Sequence, residues 1–346
     1  MNLTSIWNTV YPILIAILFF EIIIIIHEGG HFVAAKLMKV KVNEFSIGMG
    51  PKMFSFKKGE TTYSMRWFLF GGYCAMEGED EDSDGEGSFS KKSIGARMFI
   101  VVAGAFMNLL LGLIIVLCIV TSQNLIGTTT VAKFDDAAVS SSYGLQVGDE
   151  IKSIDGMRTY TSTDVQTGLS RSRDGNVEMV VKRDGKDVKL NIQFEMGEYN
   201  KMSVIEMDFW LLGKDKTFKN VIVNTGKEFA SYTRMVFLSV HDLLVGKYHV
   251  SDLSGPVGAV AVVSDAVKTS LPSMLRIMAL LTINIGLFNL FPIPALDGWR
   301  FFLLIGEGIT KRKLPSKWEY IINTVGLALL LALMCFVTFS DITKLF

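Results

Sequence analysis

The sequence is short of the residues that three common chemistries need. Its three cysteines, Cys74, Cys118 and Cys335, are too few and too scattered for a disulfide framework, and none forms a metal-type CxxC pair. It has no excess of charge of either sign: 34 basic residues balance 34 acidic ones, so there is no electrostatic footprint for nucleic acid. Charged residues make up only 20% of the 346, while 50% are hydrophobic. Disorder is excluded over most of the length, because 24 Phe and long Ile/Leu/Val runs cannot stay solvated. Histidine is scarce too, at four, and two of the four stand close together.

Present instead are four apolar stretches, residues 10–38, 100–120, 274–291 and 321–339, each near the ~20 residues that cross about 30 Å of hydrocarbon. Core helices of a large soluble protein are the plainer alternative, but the second and fourth stretches hold no charge at all. No basic segment precedes the first, which runs past any small-residue cleavage site, so a removable signal peptide is not expected. Ten basic residues lie from the end of the first stretch, starting at Lys36, to the start of the second, and five between the third and fourth, against none before the first and Lys344 alone after the last. Positive-inside bias then places those two loops in the cytoplasm, and both termini and residues 121–272 outside. Within that outer segment, strand-like runs over residues 124–194 carry the turn pairs Asp155-Gly156 and Asp184-Gly185. Phe218, Val221, Ile222, Phe229, Tyr232, Val236, Val240 and Leu243 follow at helical spacing and predict an amphipathic helix over residues 218–244. The acidic tract of residues 77–87 reads as a cytoplasmic loop.

Chemistry enters with His27-Glu28-Gly29-Gly30-His31, an HExxH sequence at the end of an Ile run. On a helix, positions i and i+4 share a face, so His27 and His31 can bind one Zn²⁺ with Glu28 beside it as general base. Ionisable groups in hydrocarbon cost about 2.5–3.5 kcal/mol each on insertion scales, which calls for a compensating partner. Two imidazoles leave zinc in need of a third protein ligand and an open position. Asp297, in NLFPIPALDG, is the candidate: Pro292 and Pro294 cannot continue a helix, and unwound backbone at membrane depth is tolerated only where it lines protein or a cavity. Alternatively, Asp297-Gly298 is a turn at the membrane edge. The amide of Asn289 is a candidate for holding a developing oxyanion or the substrate backbone, or else packs helices together. Glu21, seven residues before Glu28 and about 10 Å outward by helix rise, either lines a water path or is a carboxyl kept protonated between helices.

HEGGH in the first span and NLFPIPALDG in a later one resemble the intramembrane site-2 proteases, specifically bacterial sigma-factor-regulating zinc metalloproteases with a PDZ domain. Residues 44–76 are similar to that family's membrane-associated β-hairpin segment, Ala103-Gly104-Ala105-Phe106-Met107-Asn108 to its GxxxN second span, residues 137–156 to a bacterial-type PDZ domain, and Ser254-Gly255-Pro256-Val257-Gly258 to a motif before the third span. Ala105 stands where the family usually has Pro, and Trp299-Arg300 where many members have Gly-His. The fold implied is a polytopic α-helical membrane protein with about four transmembrane helices, a membrane-associated β-hairpin segment and one extracytoplasmic α+β PDZ-like domain. Its expected divisions are residues 1–38 (first span with HExxH), 39–95 (hairpin segment and acidic loop), 96–122 (second span), 123–197 (PDZ-like domain), 198–271 (amphipathic helix and connector), 272–310 (broken third span) and 311–346 (fourth span and tail).

The activity implied is zinc-dependent intramembrane hydrolysis of peptide bonds, with one Zn²⁺ per chain. The partners implied are a lipid bilayer and single-span membrane substrates already trimmed by another protease, such as anti-sigma factors or remnant signal peptides, and the location is a bacterial plasma membrane. The resemblance adds Asn284 to Asn289 as a substrate-positioning amide. A helical substrate must be unwound before attack, and an exposed strand edge can hold it by β-addition. Thr61, Thr62, Tyr63, Ser64, Met65 and Arg66 are the expected edge, with Gly71 and Gly72 permitting close approach. Two other readings stay open: a catalytically silent PDZ scaffold, and an ion-coupled transporter using Glu21, Glu28 and Asp297 as relay carboxylates.

Overall fold

A computed structural model describes residues 3–79, 85–199, 202–247, 254–313 and 315–345, so the middle of the acidic tract (residues 80–84) lies outside the described residues. Helices are α1 (Leu3–Leu37), α2 (Ile94–Ser122), α3 (Ser162–Ser170), α4 (Phe218–Leu244), α5 (Pro256–Thr269), α6 (Leu271–Phe288), α7 (Asp297–Thr310) and α8 (Ser316–Leu345). Four contain segments long and apolar enough to cross a bilayer: Val10–Leu37, Ile94–Ser122, Leu271–Phe288 and Lys317–Thr343. The protein is a multi-pass membrane protein. Leu329, Phe336 and Phe339 of α8 face outward, as expected of a helix that is apolar all round and sits in hydrocarbon. The chain forms two compact units, Met1–Ile115 with Ser239–Phe346, and Val116–Leu238.

In the first unit, small residues let helix backbones touch. A Cβ at Gly30 of α1 would stand 2.5 Å from the Ala103 carbonyl oxygen of α2, and one at Gly112 would stand 2.5 Å from Ile283 of α6. The SGPVG motif, expected only as part of a connector, opens α5. Pro256 occupies the first turn, and the backbone N–H groups of Gly255 and Gly258 donate to Asp341 Oδ2 of α8 at 2.9 and 2.8 Å. An anion at a helix N-terminus is favourable, and a side chain at either glycine would crowd it at 2.9–3.1 Å.

Strands β1 (Val42–Lys58) and β2 (Thr61–Met76) each bend, β1 at Gly48 and Gly50 (φ 79° and 86°) and β2 at Gly71 (φ 101°). The bends create four ranks in the order 52–58, 61–68, 42–49, 71–76. Thr62–Met65 therefore pairs with Glu44–Ile47 on one side and with Phe54–Lys57 on the other. This corrects the expected edge: Thr61, Thr62, Tyr63, Ser64, Met65 and Arg66 lie inside the sheet, because β1 doubles back beside them. The outer ranks are residues 52–58 and 71–76, so Gly71 and Gly72 keep an edge position. Glu44 pins the ranks together: its Oε1 accepts from Ser64 Oγ at 2.5 Å and Arg66 Nη2 at 2.9 Å, with Lys52 Nζ at 3.2 Å.

The third span unwinds as Pro292 and Pro294 require. Helix α6 stops at Phe288, Ala295 adopts φ 74°, and α7 starts at Asp297. Gly298 N–H donates to the Asn289 carbonyl at 2.6 Å, closing the loop under the start of α7.

The second unit is α+β. Strands β3 (Ile126–Phe134), β4 (Glu150–Ile154), β5 (Met157–Arg158), β6 (Asn176–Arg183), β7 (Lys186–Gln193) and β10 (Phe209–Lys214) form an antiparallel sheet ordered β10-β3-β4-β6-β7, with β5 beside β4. A separate pair, β8 (Met196–Tyr199) and β9 (Met202–Ile205), lies between β7 and β10 in the chain. Val131, Ile151, Ile154, Val177, Met179, Val181, Ile192 and Phe209 fill the core with Val165 and Leu169 of α3. Both Asp-Gly pairs turn with positive φ at each residue, 47° and 76° at Asp155-Gly156 and 48° and 81° at Asp184-Gly185. Helix α4 occupies the predicted span, but Phe218 and Ile222 are 84% and 51% exposed. Part of the buried stripe is polar instead: Ser231 meets the Thr161 hydroxyl at 3.2 Å, and Arg234 pairs with Asp164. Apolar spacing alone does not report such polar partners.

Candidate metal centre

The Ile run of α1 carries His27 and His31 onto one helix face, with their Nε2 atoms 3.2 Å apart. The first residue of α7 supplies the third group: Asp297 Oδ2 lies 3.0 Å from His27 Nε2 and 3.2 Å from His31 Nε2. Zinc with bonds of 2.0–2.1 Å in tetrahedral geometry would separate its ligand atoms by about 3.3 Å. Asp297 Oδ2 is buried and has no hydrogen-bond donor besides these imidazoles among the described residues. A buried carboxylate oxygen converging with two ring nitrogens fits a divalent cation and leaves a fourth position open. Among the described residues this is the one group of three His, Cys, Asp or Glu side chains close enough to share a metal ion.

Partners behind the imidazoles orient them. His31 Nδ1 lies 2.9 Å from the Ile100 carbonyl of α2; Nδ1–H donates there and leaves the Nε2 lone pair facing Asp297. His27 Nδ1 lies 3.4 Å from the side-chain amide of Asn108, whose Oδ1 is otherwise buried without a partner. With the amide turned so that Oδ1 accepts from Nδ1–H, both atoms are satisfied and His27 Nε2 is also freed for a metal. Gly104, one turn before Asn108, makes room: a Cβ there would stand 2.2 Å from His31 Nε2. In sequence, Gly104 and Asn108 stand out only as the first and last residues of the GxxxN resemblance. Their i, i+4 spacing, the same as that of the two histidines, was the available signal.

Glu28 lies between the histidines in sequence and beneath the hairpin edge. A Cβ at Gly72 would stand 3.4 Å from the Glu28 Cγ. Glu21 is 6% exposed, and neither carboxylate oxygen has a hydrogen-bond partner among the described residues. Asn284 Oδ1 is buried without a partner, and Asn289 contributes its backbone carbonyl to Gly298.

A candidate His₂Asp metal site with a glutamate beside it, its histidines on a helix long and apolar enough to cross a bilayer, is the arrangement of a metalloprotease. Residues 15–333 match Peptidase family M50, and the chain belongs to that family. It is 35% identical to a Clostridium acetobutylicum protein provisionally designated a zinc metalloprotease, over 96% of this chain and 97% of that one. It is 25% identical to the regulator of sigma-W protease RasP of Bacillus subtilis, over 95% and 98% of the respective lengths, and 26% identical to the zinc metalloprotease RasP of Shouchella clausii, over 94% and 97%. The protein is thus a membrane zinc metalloprotease of the site-2 type, and neither the transporter nor the silent scaffold is supported.

Proposed function

We propose that the protein hydrolyses peptide bonds in or near the transmembrane segment of single-span membrane proteins. The convergence of His27, His31 and Asp297 around one point, 3.0–3.2 Å apart, carries this reading. Those three residues would hold zinc, which when bound supplies Lewis acidity and acidifies water to near neutrality. Glu28 takes the proton of the attacking water and passes it to the leaving amine. A substrate strand is added to the outer rank of β2 at residues 71–76; the close approach of Gly72 to Glu28 supports this, since that edge then delivers a scissile bond to the base. Gly72, lacking a side chain, lets the strand lie close over α1. The amides of Asn284 and Asn289 serve as donors to the substrate backbone once it is bound, and Glu21 lines a water route from the outer side.

The same proposal places both termini and the α+β unit outside a bacterial plasma membrane, with the hairpin on the cytoplasmic side, as the basic residues of the two short loops favour. The α+β unit acts as a PDZ-like filter that admits substrates already trimmed outside by another protease, such as anti-sigma factors or remnant signal peptides. Glu28→Gln in the full chain, co-reconstituted with a single-span reporter, is expected to keep its zinc and lose cleavage by 10²-fold or more. Cleavage at the wild-type rate would remove Glu28 as the base.

A further inference from the structure

Asp297 is the one metal-site group that does not come from α1, so something must fix α7 relative to α1. On the loop side, the Gly298 N–H bonds the Asn289 carbonyl, Ala295 N–H donates to Asn323 Oδ1 of α8 at 3.4 Å, and Leu304 of α7 packs with Ala34 and Ala35 of α1; these hold the loop and the helix body, but none of them is a polar tie within one turn of Asp297 that reaches the β2 side. Arg300 is one turn past Asp297 and reaches across to three other elements. Its Nη1 donates to Glu79 Oε1 at 2.5 Å and its Nη2 to the Glu79 carbonyl at 2.7 Å, just beyond β2. Its Nε lies 3.6 Å from Glu319 of α8, and its guanidinium lies 5.7 Å from the Phe89 ring centre. These groups and Asp297 line one cavity of about 680 Å³. Two turns further along, Arg97 of α2 pairs with Glu307 at 2.6 Å and holds the other end of α7.

We propose that Arg300 is a positioning residue for the metal centre: its planar fork on Glu79 sets the distance between the Asp297 carboxylate and the histidine pair. The inference rests on Asp297 being the third ligand. Groups hydrogen-bonded directly to a metal ligand are typically worth 10–100-fold in metal affinity; Arg300 acts one turn from Asp297, so the lower end of that range is expected, and a fork that satisfies a carboxylate and a carbonyl at once is not replaced by an ammonium.

The test is zinc affinity of the full-length chain in detergent, measured without substrate by competition with a chromophoric chelator. Arg300→Gln and Glu79→Gln are each expected to weaken zinc about tenfold, the double variant no more than the worse single one, and Arg300→Lys to fall between wild type and Gln. Glu307→Gln breaks a comparably buried pair on the same helix, and is expected to lower the melting temperature while leaving zinc affinity unchanged. Wild-type affinity in Arg300→Gln, or equal loosening in Glu307→Gln, overturns the proposal. If Arg300→Gln does not fold, Glu79→Gln decides, since it leaves Arg300 beside Glu319. Asp297→Ala separates the two levels: zinc retained there refutes the ligand assignment itself, whereas zinc lost there and kept in Arg300→Gln refutes only the role of Arg300.

Discussion

Replacing Gly104 with Ala sets two effects of opposite sign against each other. Helix propensity alone predicts a gain of about 1 kcal/mol for the apo protein. Geometry predicts the reverse, because the new Cβ would stand 2.2 Å from His31 Nε2 and 2.8 Å from both neighbouring ring carbons. Relief to ordinary contact at 3.4 Å needs about 1.2 Å of movement. The ring has little freedom to give it, being held by the Ile100 carbonyl at 2.9 Å, and drawing α2 away would open the close packing of Gly30 on Ala103. Metal–ligand distances tolerate about 0.2 Å, so a shift several times larger should cost at least 10–100-fold in zinc affinity, the range seen for weaker perturbations of ligand orientation. Crowding of a packed interface adds roughly 1–3 kcal/mol of destabilisation, enough to cancel or reverse the propensity gain. Zinc content of the purified protein, chelator competition and thermal melting in detergent measure both effects. Gly29→Ala is the control within the same motif: nothing lies within 4 Å of its Cβ position, so zinc affinity should be unchanged. Stoichiometric zinc at wild-type affinity in Gly104→Ala would refute the close-contact reasoning.

Two further outcomes test the surroundings of the site. Asn108→Ala should weaken zinc about tenfold, while Asn108→Asp, which can only accept, should retain it; equal losses in both would remove Asn108 as the acceptor for His27 Nδ1–H. Burial raises the pKa of Glu44, but hydrogen bonds from Ser64, Arg66, Lys52 and Tyr73 prevail and hold it at about 2, below its ordinary 4.5. Its contribution to hairpin stability is therefore complete above pH 4.5 and fades as the pH falls towards 2. Melting temperatures across that window should decline for wild type and stay flatter in Glu44→Gln, and parallel declines would show that Glu44 is not the titrating group.

What could be read directly from the sequence were features carried by one continuous segment. Hydrophobic runs long enough for a bilayer marked the four spanning helices, because in hydrocarbon every backbone polar group must be satisfied within the segment. The i, i+4 spacing of His27 and His31 needed only helical periodicity, and Pro292 and Pro294 forced a break wherever the rest of the chain lay. Only tertiary structure could show that Thr61–Arg66 is interior, because strand edges depend on how β1 doubles back at Gly48 and Gly50 rather than on composition. The same holds for Gly104 and Asn108 behind the imidazoles and for Arg300 against Glu79. Each is a contact between distant segments, whose partner is chosen by packing and not by local pattern.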